Sequence, residues 1–130
     1  MRMDFITLED IDDNILTCRE SDVAYANDSL LAKARAFGLA EGDILLPCGA
    51  RVKRLGIALA CRQCAAAMVG SDTTVMVNGQ RGDDVYLQKY KVYDDLVKSL
   101  GASLSFSDFA IEGTESAGKG GVGMIRLYRA

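Results

Sequence analysis

The sequence predicts a mainly α-helical protein: a four-helix bundle with a long loop between its third and fourth helices and an extended C-terminal arm that ends in a strand-like tip. Two observations predict this fold. Apolar residues recur every three or four positions in four segments, the spacing of one helix face, and capping residues mark the segment ends. At 130 residues the chain fits one domain. We expect residues 1–110 to form the helical domain and residues 111–130 to form the arm.

The first two predicted helices are amphipathic and have clear ends. The first covers Leu8–Thr17 and has Thr7 as its N-cap. The second begins with Ser21 as its N-cap and ends at Gly38, a residue favoured just past a helix end. The predicted buried face of the first helix consists of Leu8, Ile11 and Ile15. That of the second consists of Val23, Leu30, Ala34 and Phe37.

The third predicted helix, Ala50–Val69, is apolar nearly all the way round from Ile57 onward, which is typical of a central helix enclosed by neighbours. The fourth covers Asp84–Leu100, with Gly101 as its C-terminal cap. The residues that recur at the spacing of one face of this helix are Val85, Lys89, Val92, Tyr93, Leu96 and Leu100. Residues 70–83 between them read as a long loop with some strand character around a tight turn at Asn78-Gly79. Loops of this length are uncommon in compact domains and often functional.

The C-terminal part of the chain is predicted to be less regular. Residues 103–109 read as a semi-ordered segment, and residues 112–123 are rich in glycine, as in a flexible linker. In the last seven residues, apolar and polar side chains alternate as in a strand. This tip has too few neighbours to bury its apolar side chains, so we expect it to pair with another chain. The candidate interface residues are Met124, Ile125, Arg126, Leu127, Tyr128 and Arg129 in the tip and Val75, Met76 and Val77 in the loop.

Composition argues against several kinds of chemistry. The chain has no histidine, which removes histidine-based nucleophilic pairs, histidine metal ligands and a histidine proton switch. Its net charge is −3, whereas a nucleic-acid-binding protein usually carries a basic surface. Residues 1–43 contain ten acidic and four basic side chains, and residues 44–100 contain five acidic and eight basic ones. This asymmetry gives one copy a way to pair with the next. We therefore expect no enzyme activity, catalytic residue, cofactor or metal.

The Cys61-Arg-Gln-Cys64 pair has the CxxC form, but it falls in the middle of a predicted helix. A redox pair usually starts a helix, where the first thiol is exposed and its pKa is lowered. A zinc site needs two further ligands, and only Cys18 and Cys48 remain, both distant in sequence. We interpret these cysteines as core packing.

Other short motifs have ordinary structural readings. The Gly118-Lys119-Gly120-Gly121 run lacks the strand and helix that flank a phosphate-binding loop. The Arg81-Gly82-Asp83 triplet is better read as helix capping by Asp83 than as an integrin motif. The adjacent pairs Asp12-Asp13 and Asp94-Asp95 diverge on a helix, so we expect solvated faces. The tyrosines at 86, 90 and 93 share one face, which suits core and interface equally.

The order of these elements resembles a known family. The aliphatic and acidic segment Phe5–Ile11 leads to a helix ending in Phe37-Gly38, then to the small-residue helix of residues 47–70 and to a helix with tyrosines, lysine and leucines from Val85 to Gly101. Over residues 5–109 this pattern is similar to the head–tail adaptor, or connector, proteins of tailed bacteriophages. The similarity lies in element order, loop placement and length.

The resemblance implies a structural protein of the phage neck. Its members form a ring, typically of twelve copies, beneath the portal, and they line the channel through which DNA leaves. For this chain it implies three partners: copies of itself, the portal protein, and a tail-side neck or tail terminator protein. DNA would pass without specific binding. The arm would grip the portal or a neighbouring subunit, and residues 71–83 would project toward the channel or the next ring.

The expected location is the virion neck, after synthesis in the host cytoplasm. The chain starts without an apolar leader, and its most apolar stretch, residues 55–69, is interrupted by Arg62 and Gln63, so we expect no membrane partner. Two alternatives stay open. One is a small cytoplasmic helical regulator that binds other proteins, and the other is a redox protein that uses Cys61 and Cys64.

Overall fold

The computed structural model describes residues 4–70, 76–77, 80–81 and 85–113 of the chain. Three long α-helices dominate: α1 (Glu20–Ala36), α2 (Ala50–Met68) and α3 (Val85–Ser103). A short helix, α4 (Phe106–Phe109), follows α3. Two 3-10 turns, Leu8–Asp10 and Glu41–Asp43, lie before α1 and α2. The predicted mainly helical fold is therefore confirmed.

Helix α2 is the central element, as its nearly continuous apolar sequence predicts. It packs against α1 and α3. Small residues let these neighbours approach closely, since Ala58, Ala60 and Ala65 are almost completely buried. The approach is especially close at Gly56, where a Cβ atom would lie 2.9 Å from both Ile6 Cγ2 and Leu30 Cδ1. The bounds of α2 differ from the predicted ones by one residue.

The core has two parts. The main cluster is formed by side chains of the N-terminal segment, α1, α2 and α4, including Phe5, Leu30 and Phe109. The Phe109 ring packs edge-on against Phe5, with centroids 6.4 Å apart, and lies 5.8 Å from the Phe37 ring. The second cluster joins α2 to the N-terminal segment and α3. Its fully buried members are Leu16, Cys61, Cys64 and Ala65.

The predicted first helix, Leu8–Thr17, is wrong beyond its first turn. Thr7 does precede a helical turn, but the 3-10 helix ends at Asp10, and residues 11–19 contain no helix. Acidic side chains bind the backbone amides that a helix would use, because the Asp13 carboxylate accepts hydrogen bonds from the amides of Ile15 (2.9 Å) and Leu16 (3.2 Å). As a result Leu16 faces the core, and Ile15, predicted to be buried, is 46% exposed.

A buried side chain from α1 also holds the N-terminal segment extended. Asn27 is 1% exposed, and its Oδ1 accepts hydrogen bonds from the amides of Phe5 (2.9 Å) and Ile6 (3.0 Å). Its Nδ2 donates to the Ile6 carbonyl at 3.1 Å. This amide side chain therefore satisfies three backbone groups that no helix or sheet would reach.

The other helix ends agree with the sequence to within a few residues. Helix α1 begins at Glu20, one residue before the predicted N-cap Ser21, and the backbone turns at Gly38, which has a φ of 90°. The predicted fourth helix is α3. It continues through Gly101 to Ser103, so the prediction that Gly101 caps it is wrong.

Two connecting segments contain short regular elements. Within residues 70–83, which are predicted to have some strand character, the strands β1 (Met76–Val77) and β2 (Gln80–Arg81) pair antiparallel. Residues 103–109 include helix α4, whose Phe109 is buried. The Asp108 carboxylate accepts a hydrogen bond from the Ser105 amide at 2.8 Å, which caps this helix.

Candidate functional site

An exposed apolar surface lies on α3 and the N-terminal segment. Val92 and Leu96 are one helical turn apart and are 56% and 36% exposed. The exposed Ile15 side chain lines the same shallow cavity, whose volume is about 450 Å³. We call Ile15, Val92 and Leu96 the α3 surface. Apolar side chains that cluster on an exposed face usually mark a contact with another molecule.

An ion-pair network fixes Ile15 at this surface. Asp13 Oδ2 accepts hydrogen bonds from Lys89 Nζ, at 2.9 Å, and from the Tyr93 hydroxyl, both on α3. The Asp13 side chain is only 5% exposed. The prediction that Asp12 and Asp13 form a solvated face is therefore wrong for Asp13, which joins the N-terminal segment to α3.

The hydrogen bonds of this network favour the ionised form of Asp13. Burial by itself raises the pKa of Asp13, but hydrogen bonds from Tyr93, Lys89 and the amides of Ile15 and Leu16 outweigh burial and lower this pKa to about 2. Burial and the Asp13 hydrogen bond raise the pKa of Tyr93. At neutral pH Asp13 is therefore a carboxylate and Tyr93 a neutral phenol.

A second exposed apolar area lies beside α4, where the segment before α2 meets the residues that follow α4. Leu45, Leu46 and Ile111 are 37%, 40% and 42% exposed, respectively. Leu45 and Ile111 line a cavity of about 480 Å³ next to α4. Two backbone hydrogen bonds join these segments: the Leu45 amide donates to Phe109 (2.8 Å) and the Ile111 amide donates to Asp43 (3.0 Å). We call Leu45, Leu46 and Ile111 the α4 surface.

No protein-family model, curated protein or solved structure matches this chain. None of the helices within residues 4–70 and 85–113 is long and apolar enough to cross a membrane.

Most of the predicted interface residues cannot be compared with the structure. Met124, Ile125, Arg126, Leu127, Tyr128 and Arg129 lie outside the described residues, and so does Val75. Met76 and Val77 form β1, where Met76 pairs with Arg81 and Val77 with Gln80. The proposed cap Asp83 and the glycine-rich segment 118–121 also lie outside the described residues.

The predicted burial of the CxxC pair is confirmed. Cys61 and Cys64 are 0% and 3% exposed and belong to the second core cluster. Burial raises the pKa of both thiols, the opposite of the shift that activates a redox cysteine. Cys18 is distant from this pair in sequence, but the fold brings its sulfur within 4.8 Å of the Cys64 sulfur beside Asp22.

The tyrosine face of α3 packs mainly inward. Tyr86, Tyr90 and Tyr93 are partly buried against the second core cluster. Asp94 pairs with Arg62 of α2 at 3.1 Å and with Lys98 at 2.9 Å, whereas Asp95 is exposed. The apolar residues of α3 that face solvent are therefore Val92 and Leu96. Sequence periodicity places them on one helix face but does not show that they are exposed, so the sequence did not identify them as interface candidates.

Proposed function

We propose that this protein is a structural adaptor of a phage neck, whose copies form a ring between the portal and the tail and line the DNA exit channel. The observation that carries this proposal is the α3 surface. No side chain described within residues 4–70 and 85–113 covers the apolar groups at this surface, and covering apolar area stabilises an association by roughly 25 cal/mol per Å².

Two different apolar surfaces on one chain favour a ring. When one surface of a copy contacts a different surface of the next, the contact is head-to-tail, and repetition of it closes into a ring if the rotation fits. The α3 surface and the α4 surface consist of different residues on different elements. We propose that the α3 surface of one copy packs against the α4 surface of its neighbour.

The resemblance to head–tail adaptors supplies the rest of the proposal. In this proposal, residues 112–130 form an arm whose strand-like tip, Met124 to Arg129, adds to the portal protein or to a neighbouring subunit. The loop of residues 71–83 projects toward the channel or the next ring. The net charge of −3 suits a channel wall past which DNA slides without sticking.

The ring proposal is tested by the mass of the protein in solution. We expect multi-angle light scattering at increasing protein concentration to show assembly of the full chain. Val92→Glu should shift the equilibrium strongly toward the monomer, because it places a charge in the apolar contact. Val92 is 56% exposed in the single chain, so the variant should keep the helical circular dichroism of the wild type.

Lys91→Glu is the matched control, because it places the same side chain at the adjacent exposed position of α3, outside the apolar surface. We expect Lys91→Glu to assemble like the wild type. A wild-type chain that stays monomeric at every concentration, or a Val92→Glu chain that assembles as well as the control, contradicts the proposal. Stable monomers that capture an unrelated protein would instead favour the helical regulator.

A further inference from the structure

A compact group of metal-ligating side chains lies at the junction of three segments. The Sγ atoms of Cys18 and Cys64 and a carboxylate oxygen of Asp22 all lie within 4.8 Å of one another. Cys18 belongs to the extended segment before α1, Asp22 to the first turn of α1, and Cys64 to α2. The three ligand types are thus brought together only by the tertiary fold.

The surroundings of these side chains are those of a binding site rather than of an exposed acidic patch. Asp22 and Cys64 are each 3% exposed, and Cys18 is partly exposed. One Asp22 oxygen accepts a hydrogen bond from the Arg19 amide at 2.9 Å. A buried carboxylate normally needs further strong partners, and neutral thiols are only weak hydrogen-bond donors.

The spacing fits a tetrahedral metal ion. Zinc binds thiolate sulfur at about 2.3 Å and carboxylate oxygen at about 2.0–2.2 Å, which places ligand atoms roughly 3.5–3.8 Å apart in a tetrahedron. Ligand atoms that are already within 4.8 Å of one another reach this separation through small side-chain rotations. Two sulfur ligands and one oxygen ligand suit Zn²⁺ better than Ca²⁺ or Mg²⁺, which prefer oxygen alone.

We propose that Cys18, Asp22 and Cys64 bind one Zn²⁺ ion that fastens the N-terminal segment to α1 and α2. On binding, each thiol releases its proton to solvent and coordinates as a thiolate. The fourth position belongs to a water molecule that enters on the partly exposed side of Cys18. Cys61 lies next to the site but is not one of its ligands. This inference does not depend on the proposed function.

The test uses the reduced full-length chain, freed of metal by a chelator and then titrated with Zn²⁺ in competition with a chromophoric chelator. Co²⁺ serves as a second probe, because a thiolate-to-cobalt charge-transfer band reports sulfur ligands directly. We expect one Zn²⁺ per chain, a charge-transfer band with Co²⁺, and a thermal unfolding midpoint that rises when Zn²⁺ is added.

Cys18→Ala and Cys64→Ala should each lower Zn²⁺ affinity by at least ~10–100-fold, the loss that follows removal of even an outer-shell partner. Cys48→Ala is the matched control: Cys48 is also partly buried, but its thiol donates to the Phe5 carbonyl at 3.3 Å in the main core. We expect Cys48→Ala and Cys61→Ala to bind Zn²⁺ like the wild type.

Helical circular dichroism of the metal-free variants separates loss of binding from loss of folding, and Cys18→Ala changes a partly exposed position that should not unfold the chain. A wild-type chain that takes up no Zn²⁺ overturns the proposal. So does a folded Cys18→Ala or Cys64→Ala variant with wild-type affinity, and loss of affinity in Cys48→Ala alone would point to a different site.

Discussion

Gly56 provides a direct test of the packing around α2. A helix-interior glycine is about 1 kcal/mol less favourable than alanine, so Gly56→Ala would stabilise an isolated helix. In the folded chain, however, the new Cβ atom would lie 2.9 Å from Ile6 Cγ2 and from Leu30 Cδ1. Those two side chains are 1% and 0% exposed, so they have little room to move aside.

Overpacking a core of this kind costs about 1–3 kcal/mol, and we expect the upper half of that range because two contacts are too short at once. After subtraction of the gain in helix propensity, Gly56→Ala should lower the free energy of unfolding by about 1–2 kcal/mol. Urea denaturation measures this change as a lower midpoint with an unchanged dependence on urea concentration.

Gly101 supplies the matched control. It lies in the last turn of α3, and a Cβ atom there would meet only Lys33 Nζ, at 3.9 Å. Gly101→Ala should therefore raise the free energy of unfolding by about 0.5–1 kcal/mol. The two glycines are predicted to respond with opposite signs. If Gly56→Ala is as stable as the wild type or more stable, the close approach of Ile6 and Leu30 to α2 is refuted.

Two further predictions test described contacts, and a third tests the proposed C-terminal arm. Asn27→Ala leaves two buried amides and the Ile6 carbonyl without their hydrogen-bond partner. Because each unsatisfied group costs ~1–3 kcal/mol, urea denaturation should show a loss of at least about 3 kcal/mol in the free energy of unfolding. A loss below about 1 kcal/mol would contradict the role assigned to Asn27. The pKa of Asp13 falls from 3.8 to about 2 on folding, so its stabilisation of about 2 kcal/mol is complete above pH ~4 and disappears as the pH falls through about 2. Acid titrations of stability should therefore be shallower for Asp13→Asn, and identical slopes would refute this role. Deletion of residues 118–130 should leave the helical circular dichroism and the unfolding midpoint unchanged but abolish attachment to the portal or to a neighbouring copy. Truncated chains that still assemble into infectious particles would rule out the proposed role of the arm in attachment.

The sequence predicts the long helices well because their signals are local. Helix α2 is recognisable from its run of small and apolar residues, and α1 from the acidic first turn and Gly38. In α3 the apolar periodicity predicts the helix, although the helix continues past the predicted cap Gly101 to Ser103. These features act within a few residues of each other, so the surrounding fold seldom overrides them.

The N-terminal segment shows where prediction from local sequence signals fails. Leu8, Ile11 and Ile15 have the spacing of a helix face, but the amides of this region bind Asn27, Asp10 and Asp13 instead. Contacts with α1 and α3 override the local pattern, and no spacing within residues 5–17 could indicate them. Helix α4 is easier to predict from the sequence, because Ser105 and Asp108 have the spacing of a capping pair.

The candidate sites depend on contacts between distant parts of the chain. The sequence shows the CxxC pair, but not that Cys18 and Asp22 reach Cys64 from another segment. In the same way, the periodicity of α3 places Val92 and Leu96 on one helix face and cannot reveal that nothing within the described residues covers them. A sequence pattern distinguishes apolar from polar helix faces, but it does not show which apolar face remains exposed to solvent when the helices pack.

The central claim is that copies of this chain associate through apolar surfaces that residues 4–70 and 85–113 leave exposed. Electron microscopy of the purified full-length protein tests it most directly. The account predicts closed rings of uniform diameter for the wild type and for Lys91→Glu, and their loss in Val92→Glu. Micrographs of the wild type that show only single small particles, at concentrations up to the solubility limit, would contradict this claim.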